Sequence, residues 1–196
     1  MPIEREQSVL ALDAVGDRLF VLYDDLTLHE INIKTKELVN EVNIADLEDA
    51  QHLAGKKATS FAMFKDLNMI AVSTAECVLL FDYESDLTVV TTLDVPNVVQ
   101  IDFIELYIIL LHESDDGSQA TMSCYQMDST DPEGSITINQ FMGQKIMMRK
   151  GEQSIYFSTG MQLGKIAVPE MELEFQEDTG HMIFDFAVSA TSIFTT

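Results

Sequence analysis

Residues 58–95 read as four short runs: Ala58–Lys65 (ATSFAMFK), Asn68–Ala75 (NMIAVSTA), Cys77–Glu84 (CVLLFDYE) and Leu87–Val95 (LTVVTTLDV). Each is rich in β-branched, aromatic or leucine residues, and each is bounded by polar turn formers such as Asp66-Leu67-Asn68 or Glu84-Ser85-Asp86. Runs of that length and composition between turn signals are strands. Working outward, the same pattern precedes them as Ser8–Gly16, Asp17–Asp24, Leu26–Lys34 and Lys36–Ile44. It follows them as Val98–Glu105, Leu106–Glu113, Gln119–Met127 and Gly134–Phe141, and again, more weakly, as Lys145–Lys150, Gln153–Thr159, Gln162–Val168 and Met171–Glu177. His181–Ser189 and Thr191–Thr196 then read as the first two strands of a fifth copy. Equivalent third-strand positions are Leu28, Leu80, Cys124 and Ile166, at spacings of 52, 44 and 42 residues. Between the first two copies, Ile44–Leu53 places Leu47, Ala50 and Leu53 on one helical face, a short connector.

Four strands per unit at a period of roughly 40–50 residues is the sequence pattern of a β-propeller blade. A single blade cannot bury both faces of its sheet, so neighbours must stack. The expected fold class is therefore all-β, a partial β-propeller of about four and a half four-stranded blades. As one domain over 1–196, its blades lie at about 8–47, 58–96, 98–142 and 145–178, with a fifth beginning at 181–196. A half-blade implies that further strands complete the ring, as in a piece of a larger propeller or one partner of a split one.

The 196 residues hold 33 Asp+Glu against 11 Lys+Arg, a formal net charge of −22, with 46% hydrophobic residues. That much apolar content excludes an acidic disordered chain. The charge argues against nucleic acid and against an anionic membrane surface, both of which call for Lys and Arg. No Lys or Arg occurs between Lys65 and Lys145, where 14 Asp/Glu are found. No apolar run approaches the ~18 residues of a membrane-spanning helix; Phe103–Leu111 is short and contains Glu105. With two cysteines, Cys77 and Cys124, in third strands of different blades and a polar start, free buried thiols in a cytoplasmic setting are expected.

The runs Val78-Leu79-Leu80-Phe81-Asp82-Tyr83 and Leu28-His29-Glu30-Ile31-Asn32-Ile33 resemble the aromatic-Asp ending of WD-repeat blades, although the chain has no Trp. Over residues 8–112, Ser60-Phe61-Ala62-Met63, Met69-Ile70-Ala71-Val72-Ser73, Val78 through Tyr83 and Leu93-Asp94-Val95-Pro96 resemble the citron homology domain, in the version found in subunits of endolysosomal tethering complexes. Where that family carries Lys or Arg after its second strand, this chain has Ser73-Thr74-Ala75-Glu76. The resemblance implies a β-propeller that binds small GTPases or other tethering subunits, located in the cytoplasm and peripheral to endomembranes through its partners.

No catalytic or cofactor motif stands out. His29, His52, His112 and His181 have no metal-ligand spacing, and His29 and Glu30 fall on opposite faces of a strand. Asp115-Asp116-Gly117 lacks the alternating oxygen ligands of a calcium loop and reads as a hairpin turn. Gly160–Lys165 lacks the Gly-Lys-Ser/Thr ending of a phosphate loop. Eleven methionines, among them Met142, Met147, Met148 and Met161, read first as core filling and otherwise as a plastic surface. The expected function is thus non-catalytic protein–protein interaction with no metal or cofactor. The candidate partner-binding acidic turns are Asp24, Asp25, Glu84, Asp86, Asp115 and Asp116, expected to face a basic protein surface, and the acids of the base-free stretch 66–144 are expected to fall largely in turns on one rim. The alternatives are a propeller hydrolase with axial carboxylates and a purely structural scaffold.

Overall fold

A computed structural model describes residues 8–85, 87–139, 146–189 and 192–196, in two compact units divided between Pro96 and Asn97. The first unit holds two four-stranded antiparallel sheets, each with its strands in chain order. One is β1 (Val9–Val15), β2 (Arg18–Tyr23), β3 (Thr27–Asn32) and β4 (Leu38–Asn43). The other is β5 (Ala58–Phe64), β6 (Met69–Thr74), β7 (Val78–Asp82) and β8 (Thr88–Leu93).

Strand alternation decides which side chains meet between these sheets. Phe20, Leu22 and Leu28 from one sheet pack with Met63, Ile70, Val72, Leu79 and Phe81 from the other in a single buried cluster. Each fully buried aliphatic or aromatic side chain there contributes about 1.5–3 kcal/mol. The connector expected to be helical forms two 3-10 turns, Ile44–Asp46 and Glu48–Leu53. Asn43 caps the first by accepting the Ala45 N–H at 3.0 Å, and the extended backbone of Leu47 separates the two. Ile44, Ala50 and Leu53 from these turns are buried in the same cluster.

The second unit holds β9 (Val98–Ile104), β10 (Tyr107–Glu113), β11 (Gln119–Gln126) and β12 (Pro132–Asn139) in one sheet. A second sheet comprises β13 (Met147–Lys150), β14 (Ser154–Ser158), β15 (Gln162–Ala167) and β16 (Leu173–Asp178). A two-stranded hairpin follows, β17 (Phe186–Val188) and β18 (Ile193–Thr195). Ile109, Leu111, Met122 and Cys124 of the first sheet bury against Met148, Ile155, Phe157 and Ile166 of the second. The Gln100 side chain reinforces this join: its amide donates to the Met148 carbonyl (2.9 Å) and accepts the Met148 N–H (3.3 Å). Gly164 is a packing requirement, because a Cβ there would stand 2.3 Å from the Phe157 ring.

Leu28, Leu80, Cys124 and Ile166 all lie buried in third strands, as the repeat predicts. Cys77, by contrast, sits in the turn just before β7, and both cysteines are buried and free. Met148 is fully buried while its neighbour Met147 is half-buried, and Met63, Met69, Met122 and Met171 are also buried, so these methionines fill the core. Met142, Lys145 and the end of the strand expected at 134–141 lie outside the described residues. No helix among them is long and apolar enough to cross a membrane.

Candidate functional site

The acidic turns expected to face a partner are each drawn into local bonds. Asp24 accepts from the Ser8 N–H (3.1 Å) and from Lys57 Nζ (2.9 Å), which hold its carboxyl below the usual range. Asp25 accepts the Thr27 N–H at 3.1 Å and so shapes the β2–β3 turn. In the β10–β11 turn, Asp115 accepts from Asn97 Nδ2 at 2.8 Å. Asp116 accepts the Ser118 N–H (3.0 Å) and the hydroxyls of Ser114 (2.7 Å) and Ser118 (2.8 Å), which pull its pKa down to about 2. Glu84 pairs with Arg18, and Asp86 lies outside the described residues. Antiparallel order puts the β2–β3 turn and the β7–β8 turn at opposite ends of their sheets. Within the first unit, therefore, Asp24 and Asp25 stand at one end and Glu84 at the other.

Arg18 is the hub of a cluster that the sequence did not single out. Its guanidinium bonds Glu30 at 2.7 Å, pairs with Glu84, and lies 5.1 and 5.2 Å from the ring centres of Phe20 and Tyr83. Hydrogen bonding to Glu30 is the main reason its pKa is raised further. All of Arg18's side-chain partners in this cluster are supplied by the fold, so it joins two sheets and is not a vacant anion site. The sequence signal for it is weak: one Arg at a strand start, facing acids 12 and 66 residues away.

The second sheet of the other unit presents a different surface. Pairing sets Arg149 opposite Tyr156 and Tyr156 opposite Lys165, on the face away from Ile155, Phe157 and Ile166. Arg149 holds the β17–β18 hairpin: Nε donates to the Phe186 carbonyl (3.3 Å), a terminal nitrogen to Asp185 (2.8 Å), and the guanidinium lies 5.6 Å from the Phe186 ring centre. Lys165 bonds Glu174 at 2.6 Å, which raises its pKa, and its ammonium lies 5.7 Å from the Tyr156 ring centre. Beside them opens a cleft of about 620 Å³ lined by Lys150, Glu152, Tyr156, Lys165, Glu174 and Ser189, among others. Small-molecule sites are mostly apolar; this lining is polar and charged.

Among the described residues, no group of three or more His, Cys, Asp or Glu side chains could hold a metal ion. The carboxyl groups with a resolved shift, Asp24, Asp82 and Asp116, are all lowered by hydrogen bonds. A carboxyl general acid requires the opposite shift. His112 is pushed down by burial and bonds Ser123 Oγ at 3.2 Å within its own sheet.

No family model matches the sequence, and no curated protein matches it. Solved structures do match. The WD40 domain of Toxoplasma gondii coronin superposes with a TM-score of 0.71 at 14% identity over 92% of this chain and 48% of its own. BamB from Moraxella catarrhalis gives 0.67 at 7% identity over 94% and 53%. The fold is a β-propeller. The computationally designed Ika8 protein also matches this propeller, at a TM-score of 0.68 and 12% identity, over 96% of this chain and 55% of its own. The chain thus spans about half the length of the structures it matches. At these identities the likeness concerns the fold; it extends to WD-type blades and not to the citron homology version in particular.

Proposed function

We propose that this chain is a non-catalytic protein–protein interaction module. The observation that carries the reading is the polar, charged cleft beside the hairpin in a protein whose shifted carboxyls are all depressed. Such a surface is suited to an extended polar contact, and its carboxylates are poorly suited to donating protons. The net charge of −22 selects for a basic partner surface by steering association. In the finer form of this reading, Asp24, Asp25, Glu84, Asp86, Asp115 and Asp116 contribute to that contact. The partner is a small GTPase or a tethering-complex subunit, and the protein works in the cytoplasm, peripheral to endomembranes.

The test is capture from a lysate followed by purified binding over a salt series. The expected result is a defined protein partner whose affinity falls as ionic strength rises and falls again on charge reversal of Asp25 and Asp115. Failure to recover any protein partner with the full chain overturns the reading. One observation favours a structural scaffold instead: Asp24, Glu84 and Asp115 already have internal partners in Lys57, Arg18 and Asn97. Salt-independent binding, or charge reversals that lower melting temperature and leave binding intact, would select the scaffold.

A further inference from the structure

The two units repeat one position and fill it differently. Arg18 opens β2 and Tyr107 opens β10, each after a two-residue turn, Gly16-Asp17 in one case and Glu105-Leu106 in the other. The first residue of each turn has left-handed backbone, with φ of 57° at Gly16 and 51° at Glu105. Alternation puts Arg18 on the face of Phe20 and Leu22, and Tyr107 on the face of Ile109 and Leu111. Both faces pack against the sheet that follows. That sheet brings up the turn between its third and fourth strands. In the first unit this is β7–β8, with Tyr83 and Glu84; in the second it is β15–β16, with Pro169 and Glu170.

In the first unit the fold supplies a cation at this place. Arg18 lies between Glu30 and Glu84, against Phe20 and Tyr83, and the space left beside it is about 150 Å³. In the second unit Tyr107 stands where the arginine would be. A cavity of about 360 Å³ opens there between Ile104, Glu105, Tyr107, Val168, Pro169 and Glu170. Gln153 donates to Glu105 Oε1 at 3.1 Å, which orients that carboxylate without neutralising it. Among the described residues no Lys or Arg lines this cavity, and neither Glu105 nor Glu170 has an ion-pair partner. The charge is felt inside the sheet: burial first, then the carboxylates of Glu133 and Glu170, push the Cys124 thiol up to about 12. The sheets that bound the cavity, β9–β12 and β13–β16, each have all four strands, so the opening belongs to the join between them.

We propose that this cavity receives an arginine side chain from a partner protein. Its guanidinium meets Glu105 and Glu170, and its stem lies against Tyr107, Val168 and Pro169, in the manner of Arg18 among its own neighbours. A planar fork serves two carboxylates from different turns better than a compact ammonium does. The tyrosine ring adds cation–π attraction. This rests on the interaction-module reading and names the side chain that the partner presents.

The experiment uses the full chain and N-acetyl-arginine amide as probe. N-acetyl-citrulline amide, of the same shape without the charge, and N-acetyl-lysine amide are the comparisons. Titration followed by NMR should shift the amides of Glu105, Tyr107, Gln153 and Glu170 saturably with the arginine probe. The other two should bind about fivefold or more weakly. Glu170→Gln should weaken the arginine probe about tenfold. Tyr107→Arg supplies the side chain from this chain itself, as in the first unit, and should abolish probe binding; thermal melts check that both variants are folded. Equal binding of the arginine and citrulline probes overturns the proposal, and so do equal shifts at Asp25 and Asp115, which would reduce the contact to general electrostatics. Equal binding of the lysine probe overturns the assignment to arginine. If a partner captured by the intact chain binds Glu170→Gln and Tyr107→Arg as tightly as the parent, the cavity proposal falls and the interaction-module reading stands.

Discussion

Two sheet faces in this protein have the same strand pattern and opposite fates. In the first unit, the face of β5–β8 that carries Ile70, Val72, Leu79 and Phe81 is sealed against Phe20, Leu22 and Leu28. In the second unit, the face of β13–β16 that carries Tyr156 and Lys165 is covered in part by a two-stranded hairpin, and beside it the cleft remains open. The backbone order is the same, four antiparallel strands joined in sequence. What differs is the alternate set of side chains: aliphatic and aromatic groups in one case, a tyrosine, a lysine and a glutamate in the other. A face of the first kind must be buried to lower its free energy, whereas one of the second is stable in water and available for a polar contact.

That contrast makes its strongest claim about energy. Phe81→Ala should destabilise the first unit by about 3–5 kcal/mol, the cost of removing a buried aromatic, while Tyr156→Ala on the open face should cost under about 1 kcal/mol. Denaturant unfolding of both variants measures the difference, and similar losses would show that the open face is sealed in solution. Next in size, Gly164→Ala forces a methyl into the Phe157 ring and should cost about 1–3 kcal/mol by overpacking, with lost protection of β14 and β15 amides. Such a loss would show that the inward side of the same sheet is as tightly built as the first unit.

Smaller again, Arg18→Met keeps the stem over Phe20 and Tyr83 but strands Glu30, for roughly 1–2 kcal/mol once partial exposure is allowed for. Arg18→Lys should restore only part of this, because an ammonium cannot span Glu30 and Glu84 as a fork does. The smallest effect is in pH. The Asp116 carboxyl titrates near 2 in the folded protein and at 3.8 when unperturbed, so its stabilisation is present above about pH 4 and is lost as pH falls toward 2. Melting curves of Asp116→Asn should therefore show a shallower loss between those values than the parent. His112, lowered by burial, works in the same sense at higher pH. Its neutral form is favoured in the fold, so it removes stability as pH falls below the usual histidine value of 6.5.

The strand repeat was legible because β-strands of this length carry their own signal. Val78–Phe81 and Tyr107–Leu111 are too apolar and too short to be much else, and turns such as Ser114–Ser118 mark their ends. The acidic turns were equally legible as turns, yet their partners were not. That Asp24 meets Lys57, Asp115 meets Asn97 and Glu84 meets Arg18 depends on which strands lie side by side, at separations of 33, 18 and 66 residues. The helical reading of 44–53 failed in type for a local reason. Leu47 adopts extended backbone in the middle of the stretch, which leaves two 3-10 turns where the apolar spacing alone suggested a helix.

By itself, then, the sequence determined the all-β class and the four-strand period, because these follow from local pattern. Only the tertiary structure decided which faces are sealed, which acids are already bonded, and where a polar cleft opens. Those are properties of packing between segments far apart in the chain, and no short window of residues carries them.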